Sequence, residues 1–228
     1  MSDVEATPAA PSQNALDERR AIPVRKRPRP GERRVQILQA LATMLEQPGA
    51  ERITTAALAA RLEVSEAALY RHFASKAQMF EGLIDFIEQS VFSLVNQIVE
   101  RQVSSTAADL APAVLPSVRQ ATKIVLMLMQ FAEKNPGMTR VMVGDALVFE
   151  NERLQQRMNQ FFDKIETSFK QSLRGLAEVN GSATPSVDTQ VRASVLTAFV
   201  VGRLQRFARS GFKRLPSEHI EASLALIL

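Results

Sequence analysis

The chain has 228 residues, 46% of them hydrophobic, which is enough to fill one domain or a small domain and a larger one. It contains no cysteine, which excludes disulfide scaffolds and thiolate metal sites, and no apolar run approaches the roughly 20 residues that cross a bilayer. The N-terminus lacks the apolar segment of a secretory signal, so we expect a cytoplasmic protein.

The net charge of +4 is unevenly distributed along the chain. Residues 19–34, RRAIPVRKRPRPGERR, carry eight Arg or Lys against Glu32 alone, a local charge of +7. A basic segment on a slightly acidic body indicates a polyanion such as nucleic acid, although a solubilising tail has the same composition. Because residues 1–30 are rich in Pro, Ala, Ser and Arg and lack periodicity, we predict a disordered basic arm there.

From residue 31 onward nearly every segment has helical periodicity, which predicts an all-α fold. The first predicted helix closes at QPGA, Thr54 caps the second, Ser65 caps the third, and Ser75 caps a long fourth helix that runs to about residue 101. Further helices are predicted at about 114–134, 138–148, 154–176 and 187–211, and the last begins near residue 217.

Residues 53–73, ITTAALAARLEVSEAALYRHF, contain two short helices of about eight residues joined by a tight turn, which is the spacing of a helix-turn-helix motif. The apolar side chains Leu58 and Leu62 of the second helix and Leu69 and Phe73 of the third point into one small core. The polar and small residues of the third helix therefore face outward. In such motifs the second helix enters the major groove of DNA. The alternative is that Tyr70 and its polar neighbours merely cover the core.

The outward residues have chemistry that suits particular parts of DNA. Alanines at the start of the third helix allow close approach and can contact a thymine methyl, and Arg71 is the candidate for bidentate recognition of guanine. The hydroxyl, imidazole and ammonium groups suit phosphate oxygens, as does a helix N-terminus. The predicted DNA-contacting residues are Thr54, Thr55, Ser65, Glu66, Ala67, Ala68, Tyr70, Arg71, His72 and Lys76.

The stretch ITTAALAARLEVSEAALYRHFASKAQMF resembles the DNA-binding domain of TetR-family regulators in its Thr-led second helix, its Ser-capped LYRHF and the Ser-Lys that opens the fourth helix. The resemblance implies a helix-turn-helix domain over residues 31–75 and a helical dimerisation and partner-binding domain over residues 76–228. Glu63 departs from the Gly that the family often has in the turn. A left-handed backbone there would cost on the order of 1 kcal/mol.

The stretches VSEAALYRHFASKAQMFEGLIDFIE, EKNPGMTRVMVGDALVFENERLQQRMNQFFDKIE and RFARSGFKRLP resemble a branch of this family that acts in nucleoid occlusion. This resemblance covers about residues 32–228. It implies a nucleoid-associated homodimer that binds dispersed, near-palindromic chromosomal sites and inhibits the division protein FtsZ while on DNA.

The rival expectation is a repressor controlled by a small apolar ligand. Residues 122–149 offer few polar groups for a binding cavity, so we expect no small-molecule ligand.

Four further features of the sequence carry weaker predictions. The chain has two histidines and no P-loop, GxGxxG or nucleophile elbow, so we expect neither an enzyme nor a cofactor or metal. The carboxylates of Glu81, Asp85 and Glu88 lie on one stripe, which we interpret as a solvated acidic face.

Small residues recur every four positions on the predicted helix 187–211, at Ser194, Ala198 and Gly202. Such a stripe lets two helices approach closely and predicts a dimer interface, the alternative being packing within one subunit.

Phe86 lies about 120° from the apolar face of the fourth helix. It either contacts the DNA-binding domain or is an exposed contact for a protein partner, for which the resemblance favours FtsZ.

Overall fold

The computed structural model describes residues 31–47, 53–106, 114–179, 181 and 183–228, so the predicted basic arm, residues 1–30, lies outside the described residues. The described residues form helices and no strand, which confirms the all-α prediction. No described helix is long and apolar enough to cross a membrane. The helices are α1 (Glu32–Leu45), α2 (Thr55–Arg61), α3 (Glu66–Tyr70), α4 (Lys76–Thr106), α5 (Val114–Lys134), α6 (Pro136–Met142), α7 (Glu152–Val179), α8 (Pro185–Arg209) and α9 (Ile220–Ile227).

The three predicted N-caps are confirmed. The side-chain oxygens of Thr54, Ser65 and Ser75 accept hydrogen bonds from backbone N–H groups three residues further on, at 3.1, 3.3 and 3.1 Å. Each bond satisfies a donor that the first turn of a helix leaves without an intrahelical partner. These caps therefore fix where α2, α3 and α4 begin.

Several helix ends differ from their predicted positions. Helix α4 extends to Thr106, beyond the predicted end near residue 101. Helix α6 begins at Pro136, because proline is accepted at the first helical position, and it ends at Met142. The predicted helix over 138–148 is therefore wrong in its second half, where Gly144 has a φ of 83° and a 3-10 turn follows. Helix α9 begins only after His219, whose φ is 51°.

The core of the C-terminal domain lies between α4, α5, α7 and α8. The apolar face of α4, which a helical wheel predicts to pack inward, is buried at Phe80, Ile84, Ile87, Val91 and Val95 and partly buried at Ile98. The apolar stripe of α7 is buried at Leu154, Met158, Phe161, Ile165, Phe169, Leu173 and Leu176 and partly buried at Phe162. The apolar stripes of these helices thus meet in one continuous core.

The acidic stripe of α4 is not a solvated face, which corrects the sequence-based interpretation. Glu81 pairs with Arg153, and both Asp85 and Glu88 accept hydrogen bonds from Arg157, at 2.9 and 3.1 Å. Burial lowers the pKa of Arg157, but its hydrogen bonds to the two carboxylates and their charges outweigh burial and raise that pKa. The stripe is an ion-pair ladder that links α4 to α7.

Two glycines allow the DNA-binding domain to pack closely on the C-terminal domain. A Cβ on Gly137 of α6 would lie 1.9 Å from the carbonyl oxygen of Ala42 in α1. A Cβ on Gly82 of α4 would lie 3.1 Å from Cε1 of Phe73 and 3.4 Å from Cδ2 of Leu38. Only glycine permits the first contact, because a backbone carbonyl cannot move aside as a flexible side chain can. The helix-turn-helix is therefore held firmly against α4 and α6.

Candidate nucleic-acid and partner interfaces

The turn between α2 and α3 sets the angle of the helix-turn-helix. The N–H of Val64 donates to the carbonyl of Ala59 at 3.0 Å, and the N–H of Glu63 donates to that of Ala60 at 3.1 Å. These two bonds form a Schellman motif, whose central position requires a left-handed backbone. Glu63 occupies that position with a φ of 53°. Glu63, which stands where the family often has glycine, therefore bears the conformational cost of a left-handed backbone.

Helix α3 has only five residues and presents the predicted contact residues to solvent. Leu69 and Phe73 are each 1% exposed and pack into the small core. Glu66, Ala67, Tyr70, Arg71 and His72 are exposed, and Ala68 is half-buried. The structure thus brings these six predicted residues together on one outer surface, as expected of a recognition helix.

The remaining predicted contact residues already have partners within the protein. Thr55 donates a hydrogen bond from its hydroxyl to the Glu66 carboxylate at 2.6 Å, which links the starts of α2 and α3. Lys76 lies 2.5 Å from the carboxylate of Glu150, whose side chain is only 10% exposed. A phosphate contact by Lys76 requires release of this ion pair, whereas the caps Thr54 and Ser65 keep their exposed positions.

Arg34 is a residue whose role sequence reasoning missed, because its charge assigned it to the basic segment. Its guanidinium lies 4.2 Å from the centroid of the Phe73 ring and donates to the carbonyl of His72 at 3.2 Å. Arg34 therefore joins α1 to the end of the recognition helix through a cation–π contact and a hydrogen bond. No local pattern indicates a contact that spans 38 residues of sequence.

Phe86 lies on α4 with 45% of its side chain exposed, one helical turn beyond Gly82. Gly82 itself packs against Phe73 and Leu38 of the DNA-binding domain. Leu94, two turns further along α4, is 38% exposed. Phe86 and Leu94 are therefore two separate exposed apolar side chains on α4, about 12 Å apart along the helix axis.

The small-residue stripe of α8 lies on an exposed face. Ser194 and Ala198 are exposed, and a Cβ built on Gly202 meets no atom within 4 Å. Val187, Val191 and Val195 share this region of α8 and are 58%, 56% and 48% exposed. About half of each of these valine side chains is exposed within one subunit, so packing inside the subunit does not fully explain the composition of the stripe.

Comparison with known families matches two parts of the chain. A model of bacterial regulatory proteins of the tetR family matches residues 37–83, and a tetracyclin repressor-like C-terminal domain matches residues 117–228. The regulator PfmR from Thermus thermophilus has the same fold, with a TM-score of 0.64 and 19% identity over 85% of this chain and 97% of that one. FadR from Bacillus subtilis in complex with stearoyl-CoA has a TM-score of 0.59 and 13% identity over 85% and 96%.

A capped helix-turn-helix on a helical body of this kind defines a TetR-type DNA-binding regulator. Nucleoid occlusion factor SlmA of Aliivibrio fischeri is 49% identical over 201 residues, which cover 88% of this chain and 96% of the relative. The SlmA of Vibrio cholerae is 48% identical over 86% and 93%. The chain belongs to the SlmA family of nucleoid occlusion factors.

Proposed function

We propose that this protein is a DNA-associated inhibitor of cell division, which binds dispersed chromosomal sites as a homodimer and antagonises FtsZ assembly over the nucleoid. The observation that carries the proposal is the 49% identity to a nucleoid occlusion factor over both domains, rather than over the DNA-binding domain alone. Exposure of the predicted recognition residues on α3 supports the DNA-binding half of this function.

DNA recognition in this proposal is divided between base edges and phosphates. Arg71 lies at the end of α3, exposed, where its guanidinium can reach the O6 and N7 acceptors of guanine. In a two-fold dimer, two such helices read two half-sites of a near-palindrome about one helical turn apart, roughly 10 base pairs.

Replacing Arg71 with alanine is expected to relax base preference at one position of each half-site, at a cost of about 1–3 kcal/mol per subunit. Arg119→Ala is the matched control, since Arg119 is an exposed arginine on α5, outside the helix-turn-helix. Selection of bound sequences from random DNA measures both variants. If Arg71→Ala selects the parental site unchanged, base reading belongs to other residues.

The FtsZ-binding half of the proposal is assigned to the surface around Phe86. This aromatic side chain is 45% exposed, and buried aromatic contacts often dominate protein interfaces. Gly82, one helical turn before Phe86, packs against Phe73 and Leu38 of the DNA-binding domain, so DNA binding can alter the geometry of this part of α4. This proximity gives a physical route by which DNA binding and inhibition of FtsZ are coupled.

Phe86→Ala is expected to keep the fold, the dimer and DNA affinity, and to lose binding to polymerising FtsZ. Val148→Ala is a control that removes another apolar side chain, 60% exposed, from the loop before α7 rather than from α4. Cosedimentation with FtsZ polymers in the presence of site DNA measures the loss. Retention of full FtsZ binding by Phe86→Ala would move the partner surface elsewhere, and unfolding would make Phe86 a core residue.

A repressor controlled by a small apolar ligand is the second candidate. A groove of about 530 Å³ between α6, α7 and α8 is within the size range of ligand sites, and it is lined in part by Met142, Met158, Phe162 and Val201. Genome-wide mapping of bound sites separates the candidates. Many dispersed chromosomal sites support nucleoid occlusion, whereas one or two promoter sites support a local repressor.

A further inference from the structure

The C-terminal end of α8 and the loop after it carry a basic patch, formed by Arg206, Arg209, Lys213 and Arg214. All four side chains are exposed. None of them forms an ion pair or a side-chain hydrogen bond with another residue in the part of the chain that the structure describes. Arg203 in the same region differs, because its guanidinium donates to the carbonyl of Glu218 and to the hydroxyl of Ser223 at 2.7 Å each. The patch therefore holds four cations without an ion-pair partner among the described residues.

The backbone that carries the patch is well fixed. Phe212 donates its N–H to the carbonyl of Phe207 at 3.0 Å, and Gly211 donates to that of Ala208 at 3.1 Å, which is a Schellman motif. The rings of Phe207 and Phe212 also pack edge to face at 5.2 Å. The hydroxyl of Ser210 accepts the N–H groups of Lys213 and Arg214. The cations thus extend from an ordered loop, which lowers the entropy lost on binding.

The patch lies on the side of the C-terminal domain that meets the DNA-binding domain. The guanidinium of Arg140 in α6 lies 5.2 Å from the centroid of the Phe212 ring. One turn earlier, Gly137 of the same helix packs directly on the backbone of Ala42 in α1. Helix α6 therefore contacts both the loop and α1, although the patch contains no part of the helix-turn-helix.

The chemistry of the patch suits phosphodiester groups. Three of its four cations are arginines, whose planar guanidinium groups bind phosphate oxygens with two hydrogen bonds. The helix dipole is another explanation for Arg206 and Arg209, because it favours cations in the last turn of α8. It does not explain Lys213 and Arg214, which lie beyond the end of the helix. A membrane surface fits less well, because binding there needs a continuous apolar face, and Leu215 is the one large apolar side chain here with more than a third exposed, at 51%.

We propose that this basic patch binds the phosphate backbone of DNA outside the two half-sites that the recognition helices read. The proposal rests on the proposed DNA-binding function, which holds the protein on DNA and raises the local concentration of phosphates around the patch. The phosphates come either from the flanks of the same duplex or from a second duplex. Binding of the second kind would bridge separate segments of the chromosome.

The test compares Lys213→Gln/Arg214→Gln with Arg119→Gln/Lys123→Gln, a double variant that removes the same charge from the exposed face of α5. Affinity is measured on a short duplex containing only the binding site and on one extended by about two helical turns, roughly 20 base pairs, on each side. Capture of a labelled second duplex by the complex with the short duplex is measured separately. Sedimentation confirms that both variants keep the parental oligomeric state.

We expect Lys213→Gln/Arg214→Gln to bind the short duplex like the parent and to lose about tenfold or more on the extended duplex or in capture of the second duplex. The log–log salt slope should become shallower by roughly one for each lost phosphate contact. Loss on the extended duplex assigns the contact to flanking DNA, and loss of capture assigns it to a second duplex.

Three outcomes overturn the proposal. The first is parental behaviour in both DNA assays, or a loss no greater than in the α5 control. The second is an equal loss on the short duplex, which would reflect damage to site recognition. The third is unchanged DNA binding with lost retention on vesicles of anionic phospholipid, which would assign the patch to a membrane surface. Failure of the parent itself to bind the short duplex would instead reject the proposed function.

Discussion

Glu63 has a left-handed backbone, with a φ of 53°, at the position of the α2 Schellman motif where glycine is usual. A residue with a Cβ pays about 1–2 kcal/mol in this conformation, and glycine does not. We therefore expect Glu63→Gly to be more stable than Glu63→Ala by about 1 kcal/mol, since both remove the same carboxylate and only alanine keeps the Cβ. Urea unfolding of the two variants measures the difference. Equal stability would show that the turn relaxes without strain.

At the scale of single residues, prediction from the sequence succeeded where a side chain bonds to residues close to it along the chain. Thr54 and Ser65 could be recognised as caps because their partners lie three residues away. Long-range contacts left no such signal: Arg34 reaches the carbonyl of His72, and Lys76 reaches Glu150, 74 residues away. The assignment of Lys76 to phosphate remains a prediction, now with a carboxylate that competes for the ammonium.

At the scale of elements, the ladder between α4 and α7 makes the two helices one structural unit. Arg157 is its central cation, with 27% of its side chain exposed, and Glu88 beside it is 17% exposed. Arg157→Ala leaves both carboxylates without this partner and is expected to lower the free energy of unfolding by about 1–2 kcal/mol. Arg153→Ala is the control, because Arg153 is 69% exposed and its pair with Glu81 should contribute about 0–0.5 kcal/mol.

Denaturant unfolding of the two arginine variants measures this difference. Equal and small losses would mean that water replaces the ladder at no cost. A loss confined to Arg157→Ala would confirm that the partly buried pairs hold α7 on α4.

Periodicity predicted the long helices better than it predicted their ends. The apolar stripes of α4 and α7 repeat over many turns, so their buried residues followed from the sequence. The acidic stripe of α4 repeats just as clearly, but a charged stripe has the same pattern whether water or another helix covers it. Its pairing with α7 depends on how the helices pack, and sequence patterns do not contain that information. The end of α6 was missed for a similar reason, since Gly144 acts through its backbone angle.

At the scale of the whole molecule, the exposed stripe of α8 suggests how two subunits meet. The stripe combines small residues with Val187, Val191 and Val195, which are about half exposed in one subunit. Burial of such a face between two copies removes apolar surface from water and lets the two helices approach closely. A two-fold axis there would place one recognition helix on each side, as reading a palindrome requires. This dimer interface remains a prediction.

Gly202→Leu tests the interface with little risk to the fold, because a Cβ at this position meets no atom within 4 Å in one subunit. We expect the leucine side chain to hold the two helices apart and weaken the dimer by about 1–3 kcal/mol, the usual cost of overpacking. Gln130→Leu, which adds an exposed leucine on α5, is the control. Sedimentation velocity over a concentration series measures the shift towards monomer. An unchanged dimer with Gly202→Leu would remove this stripe from the interface, and the two-fold axis would then have to pass through another face.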